Sequence, residues 1–177
     1  MSTFLLPLED LPESGRETHF AEQAAWTGPI REFHLPYELV SPFRAGLMIQ
    51  PQSPGFLIRG HMTGAVSVPC DRCAEPCQFE VDVRFELFEE PQPAEDDGLE
   101  GGELLRMTDN GVELDLGDLL WEQFVLALPV KPLCDVECAG ICPHCGQNLN
   151  QSGCTCDQSP QDPRLDIFRK LKINKGQ

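Results

Sequence analysis

Between Gln78 and Phe88 the chain alternates without a break. Phe79, Val81, Val83, Phe85 and Leu87 are interleaved with Glu80, Asp82, Arg84 and Glu86. A period of two marks a strand with one face buried and one in water. The preceding stretch, GFLIRGHMTGAVSVPC (55–70), is apolar and β-branched but carries Gly60 and Gly64. Interior glycines of this kind predict a bulged or bent strand. With CDRCAEPC between them, the two segments predict a hairpin near 55–88 whose tip carries cysteines.

Residues 1–50 contain short candidate strands around TFLLPL and IREFHLPYEL, broken by Pro, Gly and Ser. After the hairpin, EEPQPAEDDGLEGGE (89–103) is acidic, rich in Pro and Gly and almost free of apolar residues, so it reads as a mobile loop. Asn110-Gly111 followed by VELDL predicts a short hairpin-like element. DLGDLLWEQFVLAL (115–128) predicts the principal helix, with Asp115 as cap, Asp118 in its first turn and Pro129 and Pro132 beyond its end. A terminal DPRLDIFRKLKINK places Leu165, Phe168 and Leu171 on one side of a short amphipathic helix. The fold class expected is α+β: a mainly antiparallel β domain over residues 1–130, then a Cys-rich module and basic helix over 131–177.

Composition changes this picture little; charge changes it more. The 177 residues are 41% hydrophobic and 24% charged, ordinary for a globular chain. No apolar run is long enough to span a bilayer, so no membrane partner is expected. The first residues, MSTFLLPLEDLPESG, lack a basic region and are interrupted by Pro7, Glu9 and Asp10, unlike a secretory signal. A cytoplasmic, reducing location is therefore expected, where nine cysteines do not serve as structural disulfides. The net charge is −16. The stretch from Arg164 onward carries five basic residues against Asp166, so the rest of the chain is more acidic still. An acidic body with a basic tail is not the footprint of a protein that wraps nucleic acid over a broad face.

The chemistry lies in the cysteines. Eight of them form close pairs: Cys70/Cys73, Cys134/Cys138, Cys142/Cys145 and Cys154/Cys156. Zinc takes four thiolates in a tetrahedron, and each tight pair can supply two corners. Cys-Pro-His-Cys at 142–145 also invites a redox reading. A redox cysteine, however, sits at a helix N-terminus within a βαβ setting, whereas this pair is followed by Gly146, Asn148 and Asn150, and two more cysteines come within eleven residues. Gly146 is the residue type a metal knuckle needs, because it accepts positive φ. Cys142, Cys145, Cys154 and Cys156 are the stronger predicted metal set. Cys70, Cys73, Cys134 and Cys138 are the weaker, since they require the hairpin tip to meet the segment after the helix. One or two structural zinc ions are expected; sharing of Cys138 with the distal set stays open, His144 is left out, and Cys77 is expected to be a free thiol. Sites closed by four thiolates offer no position for water, which argues against a metallo-hydrolase. No phosphate loop or nucleophile motif is present in the sequence, and neither an enzyme nor a small-molecule substrate is expected.

Taken together, Cys70-Asp-Arg-Cys73 after a strand, LALPVKPLC (126–134), CAGICPHCGQNLN (138–150), Cys154-Thr-Cys156 and DPRLDIFRKL (162–171) resemble the YceD family of bacterial and plastid proteins, known as large ribosomal RNA subunit accumulation proteins. The resemblance spans most of the chain from residue 55 onward. It implies a non-catalytic ribosome biogenesis role, in accumulation or maturation of large-subunit ribosomal RNA. Two kinds of partner fit the charge. One is RNA held by a local patch, with Arg72, Arg164, Arg169, Lys170 and Lys172 as candidates, few phosphate contacts and a shallow salt dependence. The other is a basic ribosomal protein held by the acidic body, in a zinc-stapled adaptor with no RNA contact. A thiol-disulfide oxidoreductase is the distant alternative.

Overall fold

In the computed structural model, residues 4–91, 104–108 and 111–156 are described. The expected terminal helix, with Arg164, Arg169, Lys170 and Lys172, lies outside them, as does most of the acidic segment. The architecture is α+β and mainly antiparallel. Among the described residues nine elements follow in order: β1 (Leu5–Pro7), β2 (Arg16–Phe20), α1 (Ala24–Glu32), β3 (Glu38–Gln52), β4 (Gly55–Pro69), β5 (Pro76–Glu89), β6 (Leu105–Thr108), β7 (Gly111–Asp115) and α2 (Leu116–Ala127). A four-stranded sheet runs β2-β3-β4-β5 and a three-stranded sheet β1-β7-β6.

The β4–β5 hairpin is the backbone of the molecule. Its register holds from Phe56 opposite Glu89 to Pro69 opposite Pro76 without a shift. The bulge expected at Gly60 and Gly64 is therefore absent from the β4–β5 ladder. The glycines serve packing instead. A Cβ on Gly60 would strike the Phe85 ring on the neighbouring strand, and one on Gly64 would lie 2.6 Å from the Phe43 ring. The irregularity falls in β3, where the register slips between Leu39 and Ser41 and again between Ser41 and Arg44. Pro42, which has no N–H to donate, sits in that gap. Gln23 repairs the gap: its Nε2 donates to the Phe43 carbonyl at 2.8 Å, and its Oε1 accepts from the Phe43 N–H at 2.9 Å.

A strand through IREFHLPYEL is also corrected. Ile30–Glu32 close α1, and only Glu38 onward is extended. The helix forms despite Gly28 and Pro29 because it delivers Trp26, fully buried, and Ile30 to the core. There an aromatic chain runs from Phe4 through Phe20, Trp26 and Phe43 to Phe124, with ring centroids 5.3–5.8 Å apart. Edge-on and tilted pairs at this spacing add to the value of the buried area.

Helix α2 begins as its sequence predicts. Asp115 Oδ1 accepts from the N–H groups of Gly117 and Asp118, and Oδ2 pairs with Arg106 Nη2 at 2.7 Å. Leu116, Leu119, Leu120 and Phe124 are buried beneath it. After Ala127 the chain turns back toward the tip of the β4–β5 hairpin, where the Asp71 N–H donates to the Pro132 carbonyl at 2.8 Å. That return brings the cysteines together.

Candidate metal centre

Each C-x2-C pair is built on the same turn. The Cys70 N–H donates to the Glu75 carbonyl and the Ala74 N–H to the Cys70 carbonyl. In the second knuckle the Cys142 N–H donates to Gln147 and the Gly146 N–H to Cys142. The residue after the second cysteine has positive φ in both, +60° at Ala74 and +73° at Gly146. This backbone turn points amide groups at sulfur, as in the bond from the Arg72 N–H to Cys70 Sγ at 3.4 Å.

The sulfurs converge in two groups of four. Cys70, Cys73, Cys134 and Cys138 place all their Sγ atoms within 4.8 Å of one another, and so do Cys142, Cys145, Cys154 and Cys156. In the first group Cys70 and Cys138 are 3.8 Å apart and Cys73 and Cys134 3.6 Å. A tetrahedron with metal–sulfur bonds of about 2.3 Å has edges of about 3.8 Å. A disulfide would bring the sulfurs to about 2.05 Å, and none of the nine cysteines is in one. Both clusters can therefore hold a metal ion. Cys138 belongs to the first group, His144 is exposed and outside both, and Cys77 is buried with its Sγ donating to the Val68 carbonyl.

Crowding four thiols splits their acidities. Burial raises the Cys70 thiol, but N–H groups of Cys134, Arg72 and Cys73 bring it down to about 6. Hydrogen bonds with Cys138 and Cys73, then burial, push Cys134 up to about 12. The second group repeats this. Backbone N–H groups of Cys145 and His144 outweigh burial and hold Cys142 at about 6, while a hydrogen bond with Cys145 and burial push Cys156 to about 12. In each group one thiolate forms readily and further negative charge is resisted, which a divalent cation would relieve.

The two centres are tied together. The Ile141 N–H donates to the Arg72 carbonyl at 3.0 Å, and a Cβ on Gly140 would meet that same oxygen at 3.0 Å. Arg72, one of the candidates for RNA contact, donates Nη1 to the carbonyls of Val136 and Cys138 at 3.1 and 2.9 Å. Asn150 lies in the second knuckle's loop, yet its Nδ2 donates to Cys138 Sγ at 3.3 Å and its Oδ1 accepts from the Ala139 N–H at 2.7 Å. In the sequence Asn150 stands out only as one of the residues that argue against a helix after Cys145. Its place one loop beyond the Cys138–Cys145 run was the available signal.

Comparison with known proteins matches residues 58–172 to the family described as Large ribosomal RNA subunit accumulation protein YceD. An uncharacterized protein of Mycobacterium tuberculosis is 33% identical over 104 residues, 58% of this chain and 49% of that protein. Two proteins named large ribosomal RNA subunit accumulation protein YCED homolog 1, chloroplastic, also match. The one from Arabidopsis thaliana is 25% identical over 128 residues, 58% of this chain and 40% of its own length. The one from Zea mays is 28% identical over 124 residues, 55% and 42% respectively. The chain thus spans about half or less of the curated relatives it matches. No solved structure matches it. Both sulfur groups and the loop that ties them fall within a matched span covering well over half of the sequence, and the chain belongs to the YceD family.

Proposed function

We propose that this protein is a non-catalytic ribosome biogenesis factor that supports accumulation of large-subunit ribosomal RNA, with two structural zinc ions. The observation that carries the reading is the family match over residues 58–172, which encloses both four-sulfur groups. Four thiolates at each centre favour zinc over harder cations. With all four corners filled by protein, neither ion has a position for substrate, so its work is architectural. The first ion joins the β4–β5 hairpin tip to the segment after α2, and the second braces the knuckle docked on Arg72. Such a protein works in the reducing compartment where its ribosomes are made. Among the described residues no helix is long and apolar enough to cross a membrane.

Ultraviolet crosslinking in growing cells, followed by sequencing of RNA attached to the purified protein, tests this reading. Reads concentrated in one region of the large-subunit ribosomal RNA are expected. No enrichment above an untagged control would replace direct RNA contact with the second reading, an adaptor holding a basic ribosomal protein. The net charge of −16 is the observation that favours that alternative.

A further inference from the structure

One groove on the outer face of the four-stranded sheet has a basic lining, although the chain as a whole carries −16. This groove of about 820 Å³ is lined by Arg44, Arg59, Arg84, His19 and His61, with Glu17 as its single acid. The register explains the gathering. His61 lies opposite Arg84, Arg44 opposite Thr63 two residues along β4, and His61 opposite Gly46, which leaves the middle of the face without a side chain. Arg44, Arg59 and Arg84 lie on the three neighbouring strands β3, β4 and β5, two spacings of about 4.8 Å across the sheet and offset by a few residues along it. Three of the acids near the groove are already engaged, while Glu80 lies with Arg44 along the neighbouring groove. Glu86 takes Arg59 at 2.5 Å, Asp82 takes His61 at 2.7 Å, and Glu17 lies 3.6 Å from His19. The side chains of Arg44 and Arg84 are exposed and make no hydrogen bond or ion pair among the described residues.

We propose that this groove is the RNA-binding surface, with Arg44 and Arg84 gripping backbone phosphates and Arg59 reinforcing them. The proposal rests on the RNA reading above and locates its contact. Guanidinium groups present a planar fork that matches phosphate oxygens. The groove has little aromatic lining to stack bases, so contact is through the backbone and tolerant of sequence. The acidic remainder does not forbid this. At physiological salt its field is screened within about 8 Å, whereas the arginines act at contact distance.

The test uses the full, zinc-loaded chain and fluorescently labelled segments of large-subunit ribosomal RNA, titrated over a range of salt. Arg44→Gln/Arg84→Gln is compared with Arg31→Gln/Lys131→Gln, which removes the same charge from exposed positions off the groove. Zinc content and melting temperature confirm that both variants fold. The groove variant is expected to bind at least about tenfold more weakly and to lower the salt slope by roughly 1.4 for single-stranded contacts. The control variant is expected to bind as wild type does. Wild-type binding with equal losses in both variants, or in neither, overturns the groove and leaves the RNA reading standing. No binding by the wild-type chain overturns both.

Discussion

Asn150 offers a sharp way to ask whether the two centres are energetically one unit. It belongs to the loop of the second knuckle, but its side chain serves the first centre, donating to Cys138 Sγ and accepting from the Ala139 N–H. Partners of this kind, one shell out from a metal, change affinity by about 10–100-fold. Asn150 is exposed, so water replaces part of what is lost and the lower figure applies. Asn150→Ala is thus expected to weaken metal at Cys70, Cys73, Cys134 and Cys138 about tenfold, roughly 1.4 kcal/mol, and to leave the other set nearly unchanged. Asn150→Asp is the more telling variant. It keeps an acceptor for Ala139 but turns a carboxylate toward a four-thiolate centre of net charge −2, so it should be worse than Ala. The assay is competition with a chromophoric chelator, with cobalt substitution to assign each metal-loss step through its sulfur-to-metal absorption. Two single-centre variants, Cys73→Ser and Cys145→Ser, supply the reference spectra. If the tenfold loss falls on the second centre, or if Asp is no worse than Ala, the hydrogen bond to sulfur is not what Asn150 contributes.

Three further outcomes follow from named contacts. Ala74 holds φ near +60° where the other knuckle has glycine; relief of about 1–2 kcal/mol of strain, less the flexibility that glycine adds to the unfolded chain, makes Ala74→Gly stabilising by about 0.5–1 kcal/mol in denaturant titration. Gly146→Ala should do the reverse, although no atom lies within 4 Å of the added carbon. Asp115→Ala removes a helix cap and an ion pair from a residue only 3% exposed; it should cost about 2 kcal/mol or more, and Asp115→Asn, which still caps, clearly less. Equal losses in the thermal melts, where each kcal/mol moves the midpoint about 2–4 °C, would show that the cap is not what matters. Metal retention should rise with pH across neutrality. Cys134 and Cys156, pushed to about 12, must release protons on binding, while Cys70 and Cys142 at about 6 are reprotonated only below that value. Zinc release followed by a colorimetric chelator should therefore steepen as pH falls through about 6; a flat profile from 5 to 8 contradicts the thiol assignments.

Local signals in the sequence were legible where local physics governs. β5 announces itself because one side of it must stay in water, and α2 because Asp115 caps it and a leucine-rich stripe must be buried. α1 was hidden, since Gly28 and Pro29 argue against a helix and only the burial of Trp26 overrules them. Gly60 and Gly64 misled for a related reason. Their missing side chains make room for Phe85 and Phe43, and no local rule separates that use from a bulge. The cysteine pairs were plain because each lies within one turn. Which pair faces which depends on the chain returning from α2 to the hairpin tip. The arginines of the groove, Arg44, Arg59 and Arg84, sit on three strands, and only cross-strand register gathers them.

The two sulfur groups also differ in contact order, and this bears on how the molecule is made. The second group closes within about fifteen residues, so its ion can be captured as soon as that stretch leaves the ribosome. The first joins Cys70 to Cys138, 68 positions apart. Its early pair must wait as an open half-site while β5, β7 and α2 are synthesised and folded. An ion there acts as a reversible cross-link on a long loop, removing about 4 kcal/mol of chain entropy from the unfolded state by the loop-closure relation used for disulfides. Capture of that ion waits for Cys138, and it then fastens the hairpin tip to the segment that follows α2.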